Sequence, residues 1–284
     1  MTALDTATST DEAAANASDI GTPDDAPDAE NSDDSGRPPA VRLISANAGL
    51  IVTPILVIVG AVLLYLYNAN ADTIFQDERA LDWDRNLRPQ LEQHLSLTLW
   101  STVFTIAMAV PLGVLLTRPR YKRAGSPILA VATSGQAIPA FGLLVLAFAW
   151  LGRGPWTTVW ALSFFTLLPV LRNTMVGLEQ VDQNVIEAGR GMGLTKRQTL
   201  RQIEIPLAVP VILAGIRTAL VINVGMAALA YLIGGGGLGA TISAGLKLSR
   251  DLVLITGAVM TALVALTVDW IAAIIEKTLR PSGL

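Results

Sequence analysis

The sequence of 284 residues contains no cysteine and a single histidine, His94. The absence of cysteine excludes a disulfide-stabilised scaffold, a thiolate-ligated zinc or iron–sulfur site and a cysteine nucleophile. One histidine cannot form a multi-histidine metal site, so we predict no metal site in this chain. Charged residues are also scarce, at 15% of the chain, whereas an average soluble domain has about 25%.

The few charges are unevenly divided along the chain. Residues 1–42 hold ten of the 23 acidic residues and only two of the 20 basic ones, a net charge of −8. The remainder has a net charge of +5, so the total of −3 describes neither part. Because residues 1–42 have almost no large apolar side chains, burial cannot offset the entropy of ordering them. We predict a disordered acidic cytoplasmic tail.

Apolar residues are what the rest of the sequence has in abundance. Hydrophobic residues make up 52% of the chain, and its mean hydropathy is +0.52. A membrane-spanning helix needs about 20 mostly apolar residues. Residues 43–284 are therefore predicted to form an all-α integral membrane domain with about six transmembrane helices, at 48–67, 94–117, 127–151, 155–178, 206–233 and 252–275.

The positions of Lys and Arg predict the orientation of these spans. If the N-terminus lies inside the cell, thirteen basic residues fall on the cytoplasmic side, six fall on the outer side, and Arg217 lies within a span. Membrane proteins carry an excess of Lys and Arg in their cytoplasmic loops. We therefore expect a multi-pass protein of the cell membrane with both termini in the cytoplasm.

The longest cytoplasmic loop of this topology, residues 179–206, has the pattern of a folded element. A short helix is predicted to stop at Gly191 and Gly193, and a second helix to begin at Thr195. Gln198 completes a T-x-x-Q capping box with Thr195. Glycines between two helices allow another protein to approach the backbone closely. The loop therefore has the features of a protein-docking element.

Residues of this loop resemble the EAA signature of ATP-binding-cassette importer permeases. That signature reads E-A-A, three residues, G, nine residues and I-x-L-P. The matching residues are Glu187, Ala188, Gly189, Gly193, Ile203 and Pro206. Gly replaces Ala at position 189 and Ile replaces Leu at position 205, while the spacing is intact. In that family the loop forms the coupling helix, so the resemblance implies that these residues couple this chain to a cytoplasmic ATPase.

Further stretches are similar to the osmoprotectant branch of these permeases, which carries glycine betaine, carnitine and choline. They are residues 136–139, 172–174, 186–194 and 233–239. The resemblance implies a type I importer permease (MetI-like) fold and a transport subunit that is not an enzyme. It also implies partners: ATPase subunits that bind ATP and Mg, an extracytoplasmic solute-binding protein, and a second permease subunit, identical or not. No cofactor is expected in this chain, and no nucleic acid as a partner.

Polar and small residues inside spans usually face the protein interior rather than lipid. On this ground the candidate translocation pathway consists of Gln136, Pro139, Asn173, Asn223, Gly234, Gly235, Gly236 and Gly237. Some members of this set are expected to serve helix packing only. Arg217 and Asp269 are the two charges within spans, and an isolated charge there costs about 2.5–3.5 kcal/mol. We expect these two residues to form an intramembrane ion pair. The alternatives are a gate or proton path, and side chains that extend toward the membrane interface.

Other functions remain open at this stage. A secondary transporter driven by an ion gradient would need carboxylates near the membrane midplane, for which Asp269 alone is thin support. An importer of this type could instead carry ergothioneine, methionine, a sulfonate or a phosphonate. The glycines at 234–239 do not form a phosphate-binding loop, because no Lys-Ser/Thr follows them. No nucleophile–base or metal constellation indicates an enzyme.

Overall fold

In the computed structural model the structure describes residues 39–279, with side chains from residue 49 onward. The predicted tail lies, up to residue 38, outside the described residues. The helices are α1 Pro39–Ala69, α2 Phe75–Ala80, α3 Arg88–Leu116, α4 Lys122–Gly135, α5 Ala140–Leu151, α6 Pro155–Glu179, α7 Gln183–Gly191, α8 Lys196–Thr199, α9 Ile205–Ala227, α10 Gly239–Leu248 and α11 Asp251–Leu279. A π-helical turn precedes α3 (Trp83–Leu87) and another precedes α9 (Leu200–Glu204), and a 3₁₀ segment follows α9 (Ala228–Ile233).

Five helical segments of the described chain are long and apolar enough to cross a membrane. They are Gly49–Ala69, Trp83–Leu116, Pro155–Glu179, Lys196–Ile233 and Asp251–Leu279. A sixth candidate consists of α4 and α5, which meet at an angle of 95° across a short break. The prediction of an all-helical chain with about six spans is therefore confirmed, and within residues 39–279 the structure contains no β-strand.

The third predicted span, 127–151, consists of two helices, α4 and α5, and not of one continuous helix. Its break lies at residues 136–139, where Pro139 is the N-cap of α5. Proline has no backbone N–H to donate and pushes the preceding residue out of the helical region, so a helix tends to end before it. At about 1.5 Å per residue neither α4 (14 residues) nor α5 (12 residues) spans a 30 Å bilayer core alone.

The core lies where α3, α6 and α9 pack on one another. Small residues let these helices approach closely, as in other membrane bundles. A Cβ atom at Gly113 of α3 would lie 2.7 Å from Thr174 Cγ2 of α6, and one at Gly177 of α6 would lie 3.1 Å from the carbonyl oxygen of Ala208 in α9. The observed spacing of these helices therefore requires glycine at both positions.

Buried hydroxyl and amide groups join the same three helices. Asn223 of α9 is fully buried and donates through Nδ2 to Thr102 Oγ1 of α3, at 3.0 Å. Its Oδ1 accepts from Thr166 Oγ1 of α6 at 3.3 Å, and Thr166 pairs with Thr105 of α3 at 2.9 Å. Such hydrogen bonds are worth about 0.6 kcal/mol each in a membrane protein, and they fix the register of the bundle.

The bundle has two ends. At the α7 end lie the C-termini of α3, α6 and α11 and the start of α9, together with the α7–α8 hairpin. At the α2 end lie the N-termini of α3, α6 and α11, the glycine-rich turn at residues 234–237, and α10. These two names are used below.

Candidate functional site

The α7–α8 hairpin is built from local backbone signals. Asp182 caps the start of α7 by accepting a hydrogen bond from the Asn184 amide, at 2.8 Å. After the end of α7, Gly193 adopts φ +88°, the left-handed conformation that glycine reaches without steric cost. The Leu194 amide then donates to the Gly189 carbonyl at 3.2 Å, and the Gly193 amide donates to the Arg190 carbonyl at 3.0 Å. This is the Schellman arrangement that closes a helix.

The second helix of the hairpin begins at the predicted capping box. The Thr195 amide donates to Gln198 Oε1 at 2.8 Å, and the Gln198 amide donates to Thr195 Oγ1 at 3.4 Å. This detail of the sequence analysis is confirmed. The loop was expected to give way to a separate span at residue 206, but α8 continues through a π-helical turn into α9. The second helix of the hairpin, α8, and the fifth span are therefore one continuous helical segment, Lys196–Ile233.

The signature residues divide into an inner and an outer set. Gly189 is buried, and a methyl group there would overlap Ile203 Cδ1, so these two residues hold the hairpin together. Glu187 and Ala188 are exposed on the other side of α7. Pro206 is half-buried near the start of α9, directly after the π-helical turn Leu200–Glu204.

The outer face of α7 carries exposed apolar side chains. Val185 is 43% exposed and Met192 is 77% exposed, and Ala188 lies between them at helical spacing. Residues three or four positions apart share one helix face. Because large apolar side chains on a solvent-facing helix indicate an interaction surface, this face has the character of a docking element.

A cleft of about 520 Å³ separates α7 from the body of the bundle. Its charged lining residues are Arg118, Lys122, Glu179, Arg190 and Glu204. Arg118 Nη2 donates to Glu204 Oε2 at 2.6 Å, and the Glu204 side chain is only 5% exposed. The ion pair ties the turn after α3 to the segment that leads into α9. Neither residue was predicted as part of a site. A carboxylate between Ile203 and Ile205 is nevertheless a signal in the sequence, because a buried carboxylate needs a basic partner.

Arg217 and Asp269 form an ion pair between α9 and α11 in which both side chains stay partly exposed. Arg217 of α9 donates through Nε and Nη2 to the two carboxylate oxygens of Asp269 in α11, at 2.6 and 2.8 Å. Glu276 joins the pair at 3.4 Å from Arg217 Nη1, and it was not predicted. Its position seven residues after Asp269, two turns along the same face of α11, is the sequence signal that could have found it.

The predicted pathway residues do not form one surface. Gln136 and Pro139 are exposed at the break between α4 and α5. Asn173 is half-buried and packs against α9. A Cβ atom added at Gly215 would lie 2.7 Å from the Cβ atom of Asn173. Asn223 is enclosed in the α3–α6–α9 network described above. Asn173 and Asn223 therefore pack between helices, whereas Gln136 and Pro139 are exposed, and the role of these residues in a translocation pathway stays a prediction.

The glycine-rich turn at the α2 end has a left-handed backbone, which glycine adopts without steric cost. Gly234, Gly236 and Gly237 have φ values of +81°, +84° and +89°. The turn packs closely on its surroundings, because a methyl group at Gly234 would overlap the Arg153 side chain and one at Gly235 would overlap Thr158 Oγ1. Tight backbone approach of this kind explains the run of glycines.

One face of α3 holds this turn in place. Gln93 Oε1 accepts from the Gly237 amide at 3.1 Å, and Gln90 Oε1 accepts from the amide and the hydroxyl of Thr241, at 3.1 and 2.7 Å. His94 is fully buried, with Nε2 3.0 Å from the Val224 carbonyl oxygen. Positions 90, 93 and 94 share a helix face, but their partners lie about 130–150 residues away.

Comparison with known proteins places this architecture in a family. Residues 109–281 match the family described as binding-protein-dependent transport system inner membrane component. The chain belongs to this family. It is a membrane-spanning transport permease, and the matched segment contains the α7–α8 hairpin, the Arg217–Asp269 pair and the glycine-rich turn.

Curated relatives cover most of the permease. It is 39% identical over 192 residues to the choline transport system permease protein OpuBB of Bacillus subtilis, an alignment covering 68% of this chain and 88% of that protein. It is 41% identical over 197 residues to the osmoprotectant import permease protein OsmW of Salmonella typhimurium, covering 68% of this chain and 91% of the relative. It is 38% identical over 212 residues to the carnitine transport permease protein OpuCB of Listeria monocytogenes, covering 75% and 94%.

Solved structures share the fold of the permease. A chain of the MetNI methionine transporter, in an inward-facing conformation, superposes with a TM-score of 0.61 at 23% identity, covering 69% of this chain and 96% of that one. A chain of an amino acid ABC transporter crystallised with histidines gives a TM-score of 0.56 at 20% identity, covering 67% and 92%. At this identity the likeness concerns the fold alone. The predicted type I importer fold is thus confirmed.

Within the part of the chain that the structure describes, no three His, Asp or Glu side chains come together as a metal site. The ion pairs Arg118–Glu204, Arg217–Asp269 and Arg250–Asp77 join segments that are far apart in the sequence.

Proposed function

We propose that this permease forms the translocation pathway of an ATP-driven importer for quaternary-ammonium osmoprotectants. The observation that carries the proposal is the α7–α8 hairpin, which presents an exposed apolar face and continues without a break into a membrane-spanning helix. The substrate class comes from the relatives, whose names specify choline, carnitine and osmoprotectants.

The distribution of basic residues supports an orientation with the α7 end in the cytoplasm. The turn after α3 carries Arg118, Arg120, Lys122 and Arg123, and the hairpin adds Arg190, Lys196, Arg197 and Arg201. Cytoplasmic loops of membrane proteins are enriched in Lys and Arg. Both termini then lie inside the cell, and the α2 end with its glycine-rich turn faces outward.

In this orientation the outer face of α7 meets a cytoplasmic ATPase. Val185, Ala188 and Met192 provide the apolar contact, with Glu187 beside them. ATP and Mg²⁺ are bound by the partner, and this chain holds no cofactor. A solute-binding protein delivers the substrate to the α2 end, and a second permease subunit completes the pathway.

Movement of the ATPase passes from α7 into the membrane along two rigid connections. The first is the Gly189–Ile203 contact, which joins α7 to the α8–α9 segment. The second is the Arg118–Glu204 pair, which joins that segment to the end of α3. Rigid elements with discrete arrangements transmit conformational changes of this kind. A shift of α9 then moves the Arg217–Asp269 contact with α11 and the glycine-rich turn.

Reconstitution tests the proposal directly. The permease is assembled in proteoliposomes with its ATPase and binding protein, and uptake of radiolabelled choline and glycine betaine is measured together with ATP hydrolysis. Uptake is expected to require ATP, and Glu187→Arg is expected to abolish uptake while the protein still inserts and ATP hydrolysis continues. Glu179→Arg, outside the signature, is the charge-matched control. Uptake driven by an ion gradient without ATP, or normal uptake by Glu187→Arg, would overturn the proposal.

A further inference from the structure

A second cavity lies at the α2 end, and none of the predicted pathway residues lines it. It has a volume of about 610 Å³ and is bounded by α1, α2, the π-helical turn before α3, and α11. Ligand pockets in proteins usually measure about 300–1,000 Å³. Its aromatic and polar lining residues are Tyr65, Asn68, Thr73, Glu78, Trp83 and Thr256.

The two aromatic side chains leave much of their surface accessible. Tyr65 is 73% exposed and Trp83 is 52% exposed. The face of an aromatic ring attracts a cation, most strongly for Trp. Aromatic residues also line membrane boundaries as anchors, so the rings alone do not define a site. The charge beside them decides what the cavity can hold.

Glu78 supplies that charge. Its Oε1 accepts a hydrogen bond of 3.3 Å from Thr73 Oγ1, and within the described residues no Lys or Arg forms an ion pair with it. The neighbouring Asp77 differs, because it is buried and paired with Arg250. One of two adjacent carboxylates is therefore neutralised by the fold, and the other stays available at the cavity.

The remaining polar groups are already engaged. Asn68 donates through Nδ2 to the Leu64 carbonyl at 2.8 Å and accepts through Oδ1 from Thr256 Oγ1 at 3.1 Å. The cavity thus offers a ligand two aromatic rings, an apolar wall and one unbalanced negative charge. A bulky organic cation matches these features, whereas an anion does not.

We propose that this cavity binds an organic cation with a quaternary ammonium group, held against Tyr65 and Trp83 and balanced by Glu78. A ligand that carries its own carboxylate meets repulsion from Glu78, so the site prefers choline to glycine betaine. Either free choline or the headgroup of a phosphatidylcholine can supply this cation. This assignment extends the proposed function to a second site. It rests on the proposed function in one respect only, namely that the transported solute is a source of the bound cation.

Binding to the full-length permease in nanodiscs tests the site. In discs of phosphatidylglycerol alone, radiolabelled choline is expected to bind saturably and to be displaced by unlabelled choline at a lower concentration than by glycine betaine. Glu78→Gln and Trp83→Ala are each expected to weaken choline binding on the order of tenfold. Trp83→Phe keeps a ring and is expected to recover most of the affinity.

Two matched controls and a lipid arm sharpen the test. Asp84→Asn removes an exposed carboxylate of the same segment outside the cavity, and Phe75→Ala removes an exposed ring of α2 outside it, so neither is expected to change binding. Adding phosphatidylcholine to the discs suppresses choline binding if the headgroup occupies the site, and leaves it unchanged if the free solute is the ligand. Either outcome supports the site.

The site and the proposed function fail in different ways. If the parent protein shows no saturable choline binding in either disc, or if Glu78→Gln and Trp83→Ala bind choline like the parent, the site is disproved whatever the uptake assay shows. If variant-sensitive binding is present while the assembled transporter takes up no quaternary ammonium compound, the site stands and the proposed cargo is wrong.

Discussion

The two ends of the bundle both depend on glycine, but they are held together differently. At the α7 end, the turn after α7 is closed by backbone hydrogen bonds between residues at most five positions apart. At the α2 end, the glycine-rich turn is held by Gln93 and the following helix by Gln90, both from α3 and more than 140 positions away. The glycine-rich turn has local backbone hydrogen bonds as well, from the Gly234 and Gly235 amides to the Tyr231 and Ala230 carbonyls. The difference is that this turn and the helix after it are also held by side chains of α3.

The difference has a mechanical consequence. The α7–α8 hairpin can move as one piece, because its backbone caps are internal and α8 continues into α9. The glycine-rich turn and α10 are attached to α3 through Gln93 and Gln90, whose hydrogen bonds are worth about 1 kcal/mol each. A force applied to α7 is therefore expected to move the α7–α8 hairpin together with the start of α9.

The largest expected effect lies at the α2 end, at Gly239. A methyl group at this position would overlap the backbone carbonyl oxygen of Ala228, and backbone cannot rotate away as a side chain can. Gly239→Ala is therefore expected to destabilise the permease by more than about 3 kcal/mol and to abolish transport. Thermal unfolding in detergent measures the loss. Gly225→Ala has open space around its new methyl group and serves as the control; equal stability of the two variants would contradict the packing described here.

A smaller loss is expected at the α7 end, at Gly193. No atom lies within 4 Å of a Cβ added there, so the cost arises only from forcing a side chain into φ +88°. Gly193→Ala should cost about 1–2 kcal/mol. Gly191→Ala is the matched control, because Gly191 is helical with equally open space, and alanine there should stabilise the helix by up to about 1 kcal/mol. Similar unfolding temperatures for both variants would argue against the left-handed turn.

The same contrast explains how much the sequence could predict. The helix stop at Gly191 and Gly193 and the Thr195–Gln198 box were predictable, because their partners lie within a few residues. Apolar runs likewise predicted the spans. The Gln93–Gly237 contact and the partner of Glu204 were not predictable, because they depend on which helices become neighbours. The break before Pro139 had a local signal, but helices in membranes often tolerate proline, and only the surrounding packing decides whether one bends or breaks.

The Asp77–Arg250 pair makes the α2 end sensitive to acid. The Arg250 guanidinium, which donates to Asp77 Oδ1 at 2.9 Å, lowers the pKa of this carboxyl below its ordinary value of 3.8. A carboxyl with a lowered pKa stabilises the fold above its unfolded pKa and loses this contribution as pH falls through the folded one. Unfolding temperatures measured from about pH 6 downwards should therefore decline, and less steeply in Asp77→Asn. If the unfolding temperature of Asp77→Asn falls with pH as steeply as that of the parent, another group causes the acid sensitivity. Asp84→Asn, which removes an exposed carboxylate, is the control.

The smallest effect is expected at Gly189, where this permease departs from the alanine of the family signature. An added methyl group would overlap only Cδ1 of Ile203, the far end of a side chain that can rotate. Gly189→Ala should cost less than about 1 kcal/mol, and Ile203→Val, which removes that methyl group, should cancel the cost in the double variant. Unfolding temperatures of the two single variants and the double variant measure this coupling. A loss as large as that of Gly239→Ala would mean that the α7–α8 hairpin is packed as tightly at Gly189 as α10 is at Gly239, and this difference between the two ends would not exist.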